Sequence, residues 1–177
     1  MQKLENLSVL ILAYNRYEKF KRCINNLNEQ GIKKIFLSID GPKNKNDLKN
    51  QEKIISFCKY NNFGMEIKIN QFNKNNGCRI GPIRGISWFF SYNQCGVILE
   101  DDVILSKKCI EAFSYLLEKY HNNEEFLSIS SFNELTNSKI EYVYEMPVWR
   151  SFGWASWAHK WNSHINFSKK IRNYNMW

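Results

Sequence analysis

The sequence has no apolar run long enough to cross a membrane, since the longest near its start is Val9 to Ala13 and a spanning helix needs ~20 residues. That run is also shorter than the ~7–15 apolar residues of a secretory signal core. A cytoplasmic location is expected. Cysteine is sparse: Cys23, Cys58, Cys78, Cys95 and Cys109 make an odd count, and no two are spaced C-x-x-C. This argues against a disulfide framework or a structural zinc site and for reduced thiols. Glycine and proline number only 8 and 3 and nowhere gather into a linker, so residues 1–177 read as a single domain. Neither G-x-G-x-x-G nor G-x-x-x-x-G-K occurs, which weighs against a dinucleotide dehydrogenase and a P-loop ATPase. His121, His159 and His164 have no metal-ligand spacing.

Acidic residues stop at Glu145. From Met146 to Trp177 there are five Lys or Arg and no Asp or Glu, and five of the six tryptophans lie there. The net charge is +8. A basic surface suits an anionic partner, whether nucleotide, nucleic acid or lipid headgroup, and peripheral contact with a membrane is one expectation. No nucleic-acid-binding motif is present, so nucleic acid is not expected as a partner. The 44% hydrophobic and 15% aromatic content is ample for a packed core.

What the chain does contain is an alternation of short apolar runs with helical periodicity. Leu7 to Ala13, Ile35 to Ile39, Met65 to Ile69 and Val97 to Leu99 read as strands. Phe126 to Ile129 and Tyr142 to Tyr144 read as further ones. Phe20, Cys23, Ile24 and Leu27 fall at helical spacing with Gly31 as the stop. Further helices carry Ile54, Ile55 and Cys58, then Ile83, Ile86 and Phe90, then Ile110, Phe113 and Leu117. Asn46 or Asp47 is expected to cap the first of these three and Ser106 the last. Alternating strands and helices predict an α/β fold with a mostly parallel sheet flanked by helices. Ligands of such sheets bind beyond the carboxyl ends of the strands. Asn15-Arg16, Asp40 and Glu100-Asp101-Asp102 follow the first, second and fourth strands, so they should converge on one edge.

Glu100-Asp101-Asp102 is the sharpest feature. Adjacent carboxylates at a strand end repel unless a cation sits between them, and hard oxygen ligands suit Mg²⁺ or Mn²⁺. A solvated turn before a helix is the plainer reading. Without a glycine cradle, a diphosphate would need the metal and cationic side chains, for which Arg16, Arg79 and Arg84 are placed. Trp149 to Trp157 is too aromatic for a solvated loop. Trp154, Trp157 and Trp161 fit one face of a helix, and indoles beside Gly153 would equally suit a sugar ring.

The order Val9 to Arg16, Ser38-Ile39-Asp40-Gly41-Pro42, an Arg-Gly helix and Leu99-Glu100-Asp101-Asp102 resembles nucleotide-sugar glycosyltransferases of the GT-A fold. The likeness is to the β-1,2-N-acetylglucosaminyltransferase type and its bacterial relatives, and it runs over residues 7 to 161. Ser131-Phe132-Asn133 and Phe152-Gly153-Trp154 resemble later elements of that family. The resemblance implies a metal-dependent, surface-glycan transferase with a Rossmann-like sheet, a UDP-sugar donor and a glycan or lipid-linked glycan acceptor. It implies that Asp102 binds Mn²⁺ (or Mg²⁺), Asp101 the ribose, Glu100 the donor sugar and Asp40 the uracil. Asn15, Arg16 and Arg84 would lie near nucleotide or phosphate, and Asn133, Gly153 and Trp154 near sugar or acceptor.

One departure stands out. The family's general base is an acid beyond the Gly-Trp element, and nothing acidic follows Glu145. Glu134 is out of order for that role. The expectation is a domain lacking part of the C-terminal acceptor region, with residues 146–177 as its start. A non-catalytic nucleotide- or glycan-binding module is the alternative.

Overall fold

The computed structural model describes residues 6–61, 63–132, 143, 145–147 and 150–173. In chain order the elements are β1 (Ser8–Ala13), α1 (Tyr17–Glu29), β2 (Lys34–Ile39), α2 (Lys45–Tyr60), β3 (Glu66–Gln71), α3 (Gly77–Phe90), β4 (Cys95–Glu100), α4 (Lys107–Lys119), β5 (Ile129–Ser130), β6 (Trp154–Trp157) and α5 (Ala158–Asn173). The sheet order is β3-β2-β1-β4-β6-β5. The first four strands are mutually parallel, and β6 runs antiparallel to both β4 and β5. This is the α/β, Rossmann-like sheet that the alternation predicts.

Period-two alternation in β1 divides the core. Val9, Ile11 and Ala13 pack with the inward faces of α1, α2 and α4, including Phe20, Ile24, Ile54 and Phe113. Leu10 points the other way, onto Phe36, Ile86, Phe89 and Trp154. Ser106 caps α4 by accepting from the Cys109 amide, as expected. The cap of α2 is Asn44, which accepts from the Asp47 amide; Asp47 itself lies inside the helix.

The tryptophan-rich segment departs from the helical expectation. Trp154 to Trp157 is a strand in register with Ile98 to Cys95, and the helix begins only at Ala158. In a strand, residues three apart face opposite sides. Trp154 therefore joins one core and Trp157 the other, where its Nε1 donates to the Leu117 carbonyl at 2.9 Å. Tertiary pairing with β4 overrides the local spacing. Of the strand expected over Phe126 to Ile129 only Ile129 is in one, since β5 is Ile129–Ser130. Tyr142, Tyr144, Asn133 and Glu134 lie outside the described residues. On α3 the buried set is Gly81, Gly85, Ile86, Phe89 and Phe90, with Ile83 only half-buried.

Candidate functional site

The carboxyl ends of β1, β2 and β4 and the first turns of α3 enclose a cavity of about 590 Å³. Tyr14, Arg16, Asp40, Arg79, Glu100 and Asp101 all line it, so the three strand ends do converge. Ser151, Trp154 and Trp161 close its far side.

Asp101 is the most confined carboxylate here, at 0% exposure. Its Oδ1 accepts from Arg16 Nη2, while its Oδ2 is buried with no hydrogen-bond partner. Burial pushes its pKa up, and Arg16 offsets that only in part. An unsatisfied buried oxygen is costly, so a ligand hydroxyl or cation would be favoured beside it. Asp102 sits farther out and is not part of the cavity lining. Its Oδ2 accepts from Arg16 Nη1 at 2.9 Å and Lys19 Nζ at 3.1 Å. Partial burial would raise its pKa, but Lys19 and Arg16 together hold it below the usual carboxylate range. Among the described residues, no three His, Cys, Asp or Glu side chains gather as a metal-binding group. Asp102 is the outward carboxylate that could hold a cation, and its Oδ2 is paired with Arg16 and Lys19 in this structure.

Asp40 has a role that local sequence does not reveal. Its carboxylate accepts from the amides of Asn76 and Gly77 at 2.9 Å each and from Asn76 Nδ2 at 2.8 Å. It thereby supplies the acceptor that caps α3, because Asn76 makes no side-chain cap of its own. Arg84 is exposed and lies outside the cavity lining; it donates to Asn76 Oδ1 at 2.7 Å and stacks over Phe72 at 4.6 Å. Arg79 is the α3 arginine that faces the cavity. Asn15 donates to Asp47 Oδ1 at 2.6 Å instead of pointing at the cavity.

Two glycines let α3 lie close to the sheet. A Cβ on Gly85 would come within 2.6 Å of Ser38 Oγ, and one on Gly81 within 3.2 Å of the Asp40 carboxylate. Gly153 has φ +72, a conformation that favours glycine, and its carbonyl accepts from the Ser131 amide at 2.9 Å. It sets the bend that delivers Trp154 to the cavity wall.

No pattern in the sequence marks Tyr14, Lys43, Asn76 or Cys78, yet three of them line the cavity and Asn76 holds Asp40. The signal for Tyr14 is its place directly after the first strand; nothing local distinguishes Asn76 or Lys43.

The chain is a Rossmann-like α/β domain with a cavity at the strand carboxyl ends, where ligands of such sheets bind. No protein family matches the sequence, and no curated protein does either. Among solved structures, the chain is similar to S. aureus TarS (residues 1–349), with 14% identity and a TM-score of 0.48. That likeness covers 65% of this chain and 33% of the TarS chain.

Proposed function

We propose that this domain is a GT-A-type glycosyltransferase that binds a UDP-sugar in the cavity and passes the sugar to a glycan or lipid-linked glycan acceptor. The observation that carries this reading is the donor-free Oδ2 of Asp101, buried beside Arg16 at the edge where Asp40 and Glu100 also converge. A nucleoside diphosphate offers hydroxyls to carboxylates and phosphates to guanidinium groups, and this edge holds both kinds of partner. Asp101 would accept from the ribose and Glu100 from the donor sugar. Arg16 and Arg79 would face the diphosphate. Mn²⁺ or Mg²⁺ belongs to the same proposal, held by Asp102 and offsetting charge on the leaving diphosphate. Asp40, engaged by α3, would reach the base through its remaining acceptor capacity.

Calorimetry of UDP binding tests this. Affinity should be higher with Mn²⁺ than with EDTA, and Asp102→Ala should remove that difference while the melting temperature stays close to the parent's. Equal affinity with and without metal would refute the role of Asp102, and absence of UDP binding would refute the donor site.

A second reading, nucleotide or glycan binding without transfer, is favoured by one observation. Asp40 and Asp101 are both engaged in bonds that hold the site's shape, which suits positioning better than proton transfer. Donor consumption with a panel of glycan acceptors separates the two readings.

A further inference from the structure

Asp47 is 5% exposed and lies outside the cavity lining, yet three groups around that cavity converge on it. The Tyr14 hydroxyl donates to Oδ2 at 2.6 Å and Asn15 Nδ2 to Oδ1 at 2.6 Å. The Lys43 amide donates to Oδ2 at 3.1 Å. Tyr14 and Lys43 both line the cavity. Tyr14 and Asn15 form the turn leaving β1, and Lys43 belongs to the loop leaving β2. One carboxylate thus joins two loops that come from different strands.

These bonds also decide what the neighbours can offer. The Tyr14 hydroxyl proton is committed to Asp47, leaving the ring and the oxygen's acceptor capacity for a ligand. One N–H of the Asn15 amide is committed in the same way. Charge-assisted bonds of this length are among the stronger side-chain contacts and fix geometry as well as energy. A site whose walls are held in place before binding spends less of its interaction energy on ordering them.

We infer that Asp47 is the positioning residue of the nucleotide cavity: it touches no ligand and acts through Tyr14, Asn15 and Lys43. The inference rests on the donor-site reading above and concerns how that site is kept in shape. Loss of a charged hydrogen-bond acceptor at such a point should weaken UDP binding on the order of tenfold.

The experiment measures UDP affinity for the parent, Asp47→Asn, Asp47→Ala, Tyr14→Phe and the Tyr14→Phe/Asp47→Ala pair. Alongside, hydrogen exchange is followed at the amides of residues 14–16 and 43–47 without ligand. Asp47→Ala should weaken UDP binding and speed exchange in both loops, and Asp47→Asn should recover part of each. Once Tyr14 is Phe, Asp47→Ala should cost less than it does in the parent, because part of its route is already gone. Fully additive losses, or UDP affinity within twofold of the parent in both Asp47 variants, would overturn the inference. If the parent binds no UDP, the donor-site reading fails, and exchange still decides: unchanged protection at residues 14–16 in Asp47→Asn and Asp47→Ala overturns the positioning role as well. If Asp47→Ala does not fold, Asp47→Asn carries both readouts.

Discussion

Arg84 donates to Asn76 Oδ1 at 2.7 Å, and that bond turns the Asn76 amide nitrogen onto Asp40. The Arg-Gly helix therefore separates its two arginines by function: Arg79 faces the cavity, and Arg84 secures the loop that holds Asp40. Arg79→Ala should weaken UDP binding in a salt-dependent way, since it removes a cavity cation proposed to face the diphosphate. Arg84→Ala should lower the melting temperature and weaken UDP binding with little salt dependence. Isothermal titration at two ionic strengths checks this, and equal salt slopes for the two variants would contradict the division.

Asp101 is predicted to trade stability for binding. Burial raises its folded-state pKa above the unfolded value of 3.8. The fold thus holds that proton more tightly than the unfolded chain does. The stability linked to it is fully present below about pH 3.8 and is lost as pH rises through the folded value. Asp101→Asn, neutral at every pH, should melt above the parent at pH 7, with the gap closing below pH 4. It should also lose UDP binding. Scanning calorimetry across pH checks the sign, and a parent that is the more stable at pH 7 would disprove it.

The close approach of α3 makes Gly85 a sensitive point. A methyl group there meets Ser38 Oγ at 2.6 Å and Leu12 Cδ2 at 2.9 Å, so both side chains must shift to admit it. Gly85→Ala should destabilise by roughly 1–3 kcal/mol, the range for overpacking a tight contact. Ser38→Ala in the same chain should restore only part, because Ser38 Cβ is itself 3.0 Å from the new methyl. Urea denaturation of the single and double variants reads this out.

Thiol chemistry offers a probe of the cavity. Burial pushes the Cys23 and Cys58 thiols up to about 12 and Cys109 to about 11, and raises Cys95 as well. Cys78 is exposed and lines the cavity. A thiol reagent should therefore label one cysteine rapidly in the native protein, and UDP should slow that labelling. Mass spectrometry of the labelled peptide checks the site; rapid labelling elsewhere, or no protection by UDP, would count against the assignment.

The sequence by itself determined the strand and helix order and the edge on which Arg16, Asp40 and Glu100-Asp101 meet. That information is local: apolar periodicity fixes each element, and a polar turn directly after a strand is carried to the sheet's carboxyl edge whatever the rest of the chain does. The inward faces of α1 and α4 were legible for the same reason. Only the tertiary structure decided that Asp47, one of two candidate helix caps with Asn46, would hold Tyr14 from 33 residues away, and that Asp40 would cap a helix 36 residues downstream. It also decided that Trp154 and Trp157 would serve opposite cores, because pairing with β4 imposed a period of two where the spacing suggested a helix. Which partner satisfies a carboxylate or an indole depends on what the fold brings within 3 Å, and side-chain type and spacing carry no record of that.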